Sequence, residues 1–524
     1  MIMACAKTIC VRRMNVLRDL SSSILANKIH AKKTLRNLFS NSFFCSVLLV
    51  LILEAVYVAT LLPGVGYSGD TAKFQFVGRV LGTPHATGYP TYIILNYIFT
   101  TFFPIGSLAY KANLLSAIFS IVSCIFLFRV LTLLGVTQSV AFITSLAFGF
   151  TSTLWSQSIV AEVYTLHILF MSTAVYFFLK WNKTREDRDF FIASALYALS
   201  FGNHLMTITF LPAIIFLVWG TEKRAFTDVR KIFWAILSVV LGALQYSYLF
   251  WRFYDPHTTY LEMQTPNLET FLWYVTGAQF RSQMFSFPIA QIVFERIPVF
   301  TSLFVREYLF LLPVALLGVV RLKNKTVNLF LLVSFLGNIF FAINYNIPDI
   351  PVYLLPNYFI VAIYLAAGLD LIKTAVIRNN IALKSILLIS IPLISCALNY
   401  SKVDQHNNVA VAKEIEAILE TVGNNSIIIS PNYEYSEYFW YYLIGEGFGN
   451  NIHVMHLFST EAIKSYICEN KSFYLTERRM NVPVGLKVYC INPDHKSALE
   501  KAGFMLTEVR RNLYRVDAYG VEQD

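Results

Sequence analysis

Hydrophobic residues arrive along this chain in blocks close to 20 long, parted by short stretches rich in lysine and arginine. A block of that length is what a helix needs to cross a hydrocarbon core of about 30 Å. The pattern predicts spanning helices over 43–62, 111–134, 137–155, 162–181, 189–202, 204–220, 231–252, 301–320, 327–344, 352–372 and 383–400. A further apolar stretch, 91–104, is too short to cross and is predicted to be re-entrant or interfacial. After residue 400 the pattern changes: 410–421 and 433–444 read as helices, and 426–430, 452–456, 473–476 and 487–490 as strands. The predicted fold is therefore an all-α polytopic membrane domain of about 11 spanning helices with a small C-terminal α/β domain. Its units are a basic arm (1–42), the membrane domain (43–400) and the α/β domain (401–524).

Composition agrees: 56% of residues are hydrophobic and 14% charged, with a mean hydropathy of +0.54, unlike a soluble domain. The net charge of +10 raises nucleic acid as a partner, but the positive residues sit mostly in short inter-helix loops, where they orient the chain. Residues 1–41 hold eight lysines and arginines against the single acid Asp19, a cytoplasmic arm before an uncleaved signal-anchor. Counting spans from that arm puts the loops 182–188, 221–231, 321–325 and 373–384 on the cytoplasmic side, and all four are basic. Seven cysteines form no CxxC pair and no metal-ligand spacing; only Cys468 and Cys490 are candidates to pair. The tail has no GxGxxG and no Walker motif, so a nucleotide function is unsupported. Sequons fall on both sides, at Asn182 and Asn324 as well as Asn399, Asn424 and Asn470, and decide nothing.

The opposite side receives the first loop, the turns near Glu162 and His204, the long loop after Trp251, the 344–351 turn and the tail. Asp70, His85, Glu162, His204, Arg252 and Asp349 all land there, and such a gathering marks a site at the membrane boundary. Each has a plainer reading. Asp70 reads as a helix cap or as a proton acceptor, and His85 as a hydrogen-bond partner of its own loop. Glu162 suits a helix start, and His204 a partner for a backbone carbonyl at a helix break. Arg252 either snorkels or grips a lipid phosphate, and Asp349 sits in what is by default a turn.

The stretches YSGDTAKFQFVGRVLGTPHATGYPTY, WSQSIVAEVYTLHILF, FGNH, and LFWRFYDP followed by PNLETFLWYVTGAQF resemble a family of polytopic glycosyltransferases. That family includes the endoplasmic-reticulum protein O-mannosyltransferase transmembrane protein 260 and many bacterial relatives. The resemblance covers roughly residues 43–400 and implies the GT-C architecture, in which a first outward loop carries the catalytic acid and the donor is a polyprenyl-phosphate sugar. It implies Asp70 as the loop aspartate, His85 before the Gly88-Tyr89-Pro90 turn, Glu162 and Tyr164 in the Glu-Val-Tyr signature, and Arg252 at the end of a hydrophobic span. Two positions depart from the family pattern. Lys73 stands where many members have a carboxylate, and His85-Ala86-Thr87 where they often read His-Pro-Pro.

The resemblance implies sugar transfer to a hydroxyl of a protein Ser/Thr or a glycolipid on the extracytoplasmic face. Asp70 would be the base, with Lys73, His85, Tyr89, Glu162, Tyr164, His204, Arg252 and Asp349 binding donor phosphate or substrate. Lys73 weakens a metal site, so no metal ligands are assigned; a divalent metal stays open without being indicated, and no other cofactor is implied. The expected setting is a bacterial inner membrane, or the endoplasmic reticulum in a eukaryote, with the N-terminus cytoplasmic. The rivals are a flippase of lipid-linked sugars, which predicts inverted repeats and midplane ionisable groups, and a non-catalytic scaffold.

Overall fold

A computed structural model describes residues 41–66, 69–265, 267–375, 381–456, 459–475 and 480–519. The basic arm up to residue 40 lies outside the described residues. The membrane part begins with α1 (Ser42–Thr60), whose first amides are capped by the Asn41 side chain. The first loop holds α2 (Thr71–Phe76) and α3 (Pro90–Phe102), and leads into α4 (Leu108–Leu133). At about 1.5 Å per residue, the 13 residues of α3 are too short to cross, as the sequence pattern predicts.

Among the described residues, seven helices are long and apolar enough to cross a membrane, eight if one bent pair counts as a span. The figure of about eleven is therefore not reached by length and composition alone. The stretch 137–155 is not one helix: α5 (Gln138–Gly149) and α6 (Ser152–Ser158) meet at 66°. There follow α7 (Tyr164–Thr184), α8 (Asp187–Ser200), α9 (Leu211–Thr221), α10 (Val229–Leu244), α11 (Ser247–Tyr254) and α12 (Leu268–Val275). The last membrane helices are α13 (Ile297–Tyr308), α14 (Leu312–Arg321), α15 (Lys325–Ile343), α16 (Leu355–Ala375) and α17 (Ile381–Val403). The α13–α14 stretch belongs to a 33-residue apolar run from Ile289 to Arg321, longer than the 301–320 expected. Buried side chains such as Leu49, Phe128, Leu179, Leu331 and Tyr358 join these helices in one core.

Three of the basic loops expected on one side do meet at one end of the bundle. Asn182 Nδ2 donates to Thr221 Oγ1 (2.6 Å), Asn324 Nδ2 to Asn182 Oδ1 (3.2 Å), and Lys231 pairs with Asp187 (3.1 Å). At the other end Asn113, fully buried in α4, binds three separate stretches. Its amide donates to Leu62 O (2.8 Å), while its oxygen accepts from Gln75 Nε2 (3.0 Å) and Ala161 N (2.8 Å). Irregular backbone beside a membrane core needs such partners, because lipid offers none.

The tail begins with α18 (Ala410–Val422) and forms a five-stranded sheet. Parallel strands β1 (Ser426–Ile429), β2 (Ile452–Met455) and β5 (Lys487–Ile491) join antiparallel β6 (Phe504–Arg510) and β7 (Leu513–Tyr519), in the order β2-β1-β5-β7-β6. Strands β3 (Phe473–Leu475) and β4 (Met480–Val482) pair only with each other. Helix α19 (Tyr433–Trp440) packs toward the first loop, and α20 (Thr460–Cys468) and α21 (Pro493–Lys501) complete the domain. Cys468 is exposed, Cys490 is buried, and both are free.

Helices α14 and α16 cross at two glycines. A Cβ on Gly318 would collide with the Tyr364 carbonyl, and one on Gly368 with the Val314 carbonyl. Gly318→Ala should therefore cost about 1–3 kcal/mol of stability, read as a lower thermal midpoint of the protein in lipid. An alanine variant as stable as the wild type would show that the backbones do not touch there.

Candidate active site

The site is built at the end of the bundle formed by the first loop. Asp70 occupies the N-cap position of α2, yet its side chain accepts no cap hydrogen bond. Its Oδ1 instead accepts from Lys73 Nζ at 2.8 Å, one helical turn on, so the cap reading does not hold. Lys73 is only 2% exposed. Around its nitrogen stand His85 Nδ1 at 3.2 Å, Glu262 Oε2 at 3.1 Å and Glu437 Oε1 at 3.1 Å, with the Tyr433 ring 5.2 Å away.

Each partner is delivered by a different part of the chain. Tyr89 adopts a left-handed backbone before Pro90 and turns its hydroxyl to His85 Nε2 (3.0 Å), so His85 serves the side-chain cluster. Glu262 is brought in where the long loop lies along the first: Thr83 N donates to Tyr260 O (3.1 Å) and Glu262 N to Thr83 O (3.0 Å). Glu437 comes from α19 of the tail.

The charges settle accordingly. Burial opposes ionisation of Asp70, but the nearby His85 and Lys73 outweigh it and hold the carboxyl at about 2. Burial also opposes the charge on Lys73; Glu262, Glu437 and Asp70 overcome it and keep the ammonium protonated. Burial lowers His85, so it is neutral near pH 7 and able to accept from Lys73 through Nδ1. Glu437 is raised by burial to about 8, against the pull of Lys73.

A second cluster adjoins the first. Tyr164 Oη donates to Asp349 Oδ2 (3.4 Å), and the Tyr164 ring packs against His204 (5.6 Å) and Tyr353 (5.9 Å). His204 accepts from the Met206 amide through Nδ1 (3.3 Å) rather than serving a carbonyl, with His167 at 5.3 Å behind it. Burial, then the nearby Asp70 and Asp349 charges, raise Glu162; burial and Asp70 raise Asp349. Arg252 stands apart from both clusters' contacts. Its guanidinium donates to the carbonyls of Leu81 (2.7 Å) and Val80 (3.3 Å) and pairs with Asp255 (2.7 Å), fastening the first loop. It is buried, which leaves snorkelling without support.

Glu262, Glu437, Tyr433 and Tyr353 escape sequence reading. The sole local signal is an acid among aromatics in the tail helix YEYSEYFW, where Tyr433 and Glu437 share a face at i,i+4.

Residues 70–227 match the family model of the Protein O-mannosyl-transferase TMEM260 N-terminal domain. In overall shape the chain is similar to ArnT from Cupriavidus metallidurans bound to undecaprenyl phosphate, with a TM-score of 0.59 at 12% identity over 90% of this chain and 97% of that one. The chain thus shares the fold of ArnT along most of its length, and its residues 70–227 are similar to the TMEM260 family. Similarity to Protein O-mannosyl-transferase TMEM260 of Mus musculus is 27% over 39% of this chain, and to that of Dictyostelium discoideum 21% over 39%. These matches span only 30% and 27% of the relatives' own length. The family segment begins at Asp70 and contains Lys73, His85, Tyr89, Glu162, Tyr164 and His204, whereas Glu262, Asp349 and Glu437 fall outside it.

Two outcomes follow from these charges. A carboxyl held below its ordinary value of about 3.9 stabilises the fold above that pH, and loses the contribution as pH falls toward 2. With 40% of the Asp70 side chain exposed, solvent screening leaves about 1 kcal/mol. Wild type should exceed Asp70→Asn by that amount at pH 6, with the gap closing near pH 2–3 in thermal unfolding; a gap independent of pH would refute it. Lys73→Ala leaves buried acids unpaired and should cost about 3–5 kcal/mol, measured as loss of the folded monodisperse fraction in detergent.

Proposed function

We propose that this protein is a membrane glycosyltransferase that moves a sugar from a polyprenyl-phosphate donor to a hydroxyl on the extracytoplasmic face. The observation that carries the reading is the state of Asp70. One oxygen is fixed by Lys73; the other, Oδ2, lies 3.6 Å from His85 Nε2, beyond a hydrogen bond, on a side chain that remains partly open to solvent. A carboxylate so placed is ionised, oriented and free to accept one proton. The names of the TMEM260 relatives, together with the ArnT complex with undecaprenyl phosphate, make a lipid-phosphate mannose the first donor to test.

In the proposed step the acceptor oxygen attacks the anomeric carbon as the bond to the lipid phosphate breaks, with inversion. The phosphate leaves with the bonding electron pair, and Asp70 Oδ2 takes the hydroxyl proton. A carboxyl held at about 2 is a weak base, so the proton moves late, once the new C–O bond has made the hydroxyl acidic. The aromatic cluster of Tyr164, Tyr353 and His204, with Asp349 at its edge, supplies ring faces and acceptors suited to a sugar or acceptor side chain. The acceptor is a protein Ser/Thr or a glycolipid, and the N-terminus is cytoplasmic, following the basic loops that meet at the far end.

Asp70→Asn should lower transfer by about 10²–10⁴, measured with purified protein in lipid, a panel of polyprenyl-phosphate sugars and a Ser/Thr peptide. A folded Asp70→Asn protein with full activity would sink the assignment.

A further inference from the structure

The tail domain reaches the reacting group through one ion. Lys73 and Glu437 are each 2% exposed in their side chains, and Glu262 is 14% exposed. An ammonium has three hydrogens, yet four groups crowd within 3.2 Å of Nζ: Asp70, His85, Glu262 and Glu437. Nothing is left over for a donor phosphate unless one of them lets go. Lys73 is therefore better suited to hold residues of the protein than to bind substrate.

The seam around Glu437 is built as tightly as a core. Tyr433 Oη meets Tyr260 Oη at 3.0 Å, and the Tyr260 ring packs edge-on to Phe76 of α2 (5.1 Å) and against Trp440 of α19 (5.7 Å). The Ala109 amide donates to Tyr441 Oη (3.1 Å), and the Leu108 amide to Glu446 Oε1 (3.2 Å). Gly445 lies so close to Phe76 that an added Cβ would fall 2.7 Å from the Phe76 Cβ. The tail is thus registered on α2 and on the start of α4, on both sides of the Lys73–Glu437 contact.

We propose that Glu437 of the C-terminal domain and Glu262 of the long loop are positioning residues that hold the Lys73 ammonium against Asp70, making the α/β domain a working part of the active centre. The proposal rests on the reading of Asp70 as proton acceptor. Shared among three carboxyl groups, the ammonium takes only Oδ1 of Asp70 and leaves Oδ2 for the acceptor hydroxyl. Without the other two acids it would be free to swing across both oxygens of Asp70 and block the one that reacts. Both positioning acids lie outside the family-matched segment.

The test is transfer kinetics and amide exchange on the full chain in lipid, for Glu437→Ala, Glu262→Ala, Glu437→Gln and Asp70→Asn. Glu437→Ala and Glu262→Ala should each lower kcat about 10- to 100-fold, the scale of a misplaced reacting group, with the donor KM held within about two-fold. Glu437→Gln keeps an acceptor oxygen for Lys73 and should recover most of the rate. Amides 74–76 of α2 should exchange faster in the alanine variants while those of β1 and β5 keep their protection. Folded alanine variants with wild-type kcat, beside an inactive Asp70→Asn, would overturn the positioning role and leave the base standing. Loss of protection throughout the sheet would reduce Glu437 to a stabilising residue and overturn the proposal as well. Full activity in Asp70→Asn would instead remove the reading beneath it.

Discussion

A lysine ammonium sealed from water is the constraint on which this structure turns. Burying a charge costs several kcal/mol unless partners meet it at close range, and Lys73 is almost wholly buried. Its partners come from three places far apart in sequence: Asp70 and His85 in the first loop, Glu262 in the loop after the mid-chain helices, Glu437 in the tail. Satisfying one ion therefore brings two loops and a domain together. The excess of acid around it is relieved in part because burial keeps a proton on Glu437 to about pH 8.

The rest of that end of the molecule serves to present those groups in fixed places. Asn113 ties the exit of α1, the first loop and the turn before Glu162 to one side chain. Arg252 spends its fork on loop carbonyls and Asp255. Tyr274 Oη donates to Pro84 O (2.5 Å), next to His85. These are long-range bonds to irregular backbone, and they give loops the rigidity that regular elements have from their own ladders. The result is a polar face in which Asp70 is ionised and partly open, flanked by the aromatic cluster of Tyr164, His204 and Tyr353.

Much of the membrane part is legible from hydrophobicity, because a span must be apolar over its whole length whatever it packs against. The starts of α1, α4, α15 and α17 fall within a few residues of the apolar blocks. Where reading fails, the cause is tertiary. The bend between α5 and α6 is invisible in an apolar run, since Thr151 and Ser152 do not break one, and the Glu307 carboxylate that receives the Thr153 hydroxyl (2.6 Å) comes from α13. In the tail, β6 is exposed along much of its length, so its pairing with β7 rather than its pattern defines it.

By itself the sequence determined the apolar helices, the basic character of the short inter-helix loops, the α/β tail, and Asp70, Lys73 and His85 as residues of one loop, because each is a local property of composition or spacing. Only the tertiary structure decided what those residues face. It left Asp70 without a cap bond and made it an ionised, partly open carboxylate, set Arg252 to work as a loop fastener, and brought Glu262 and Glu437 to Lys73. The partners of a buried charge are chosen by distance in space, and between Lys73 and Glu437 lies most of the chain.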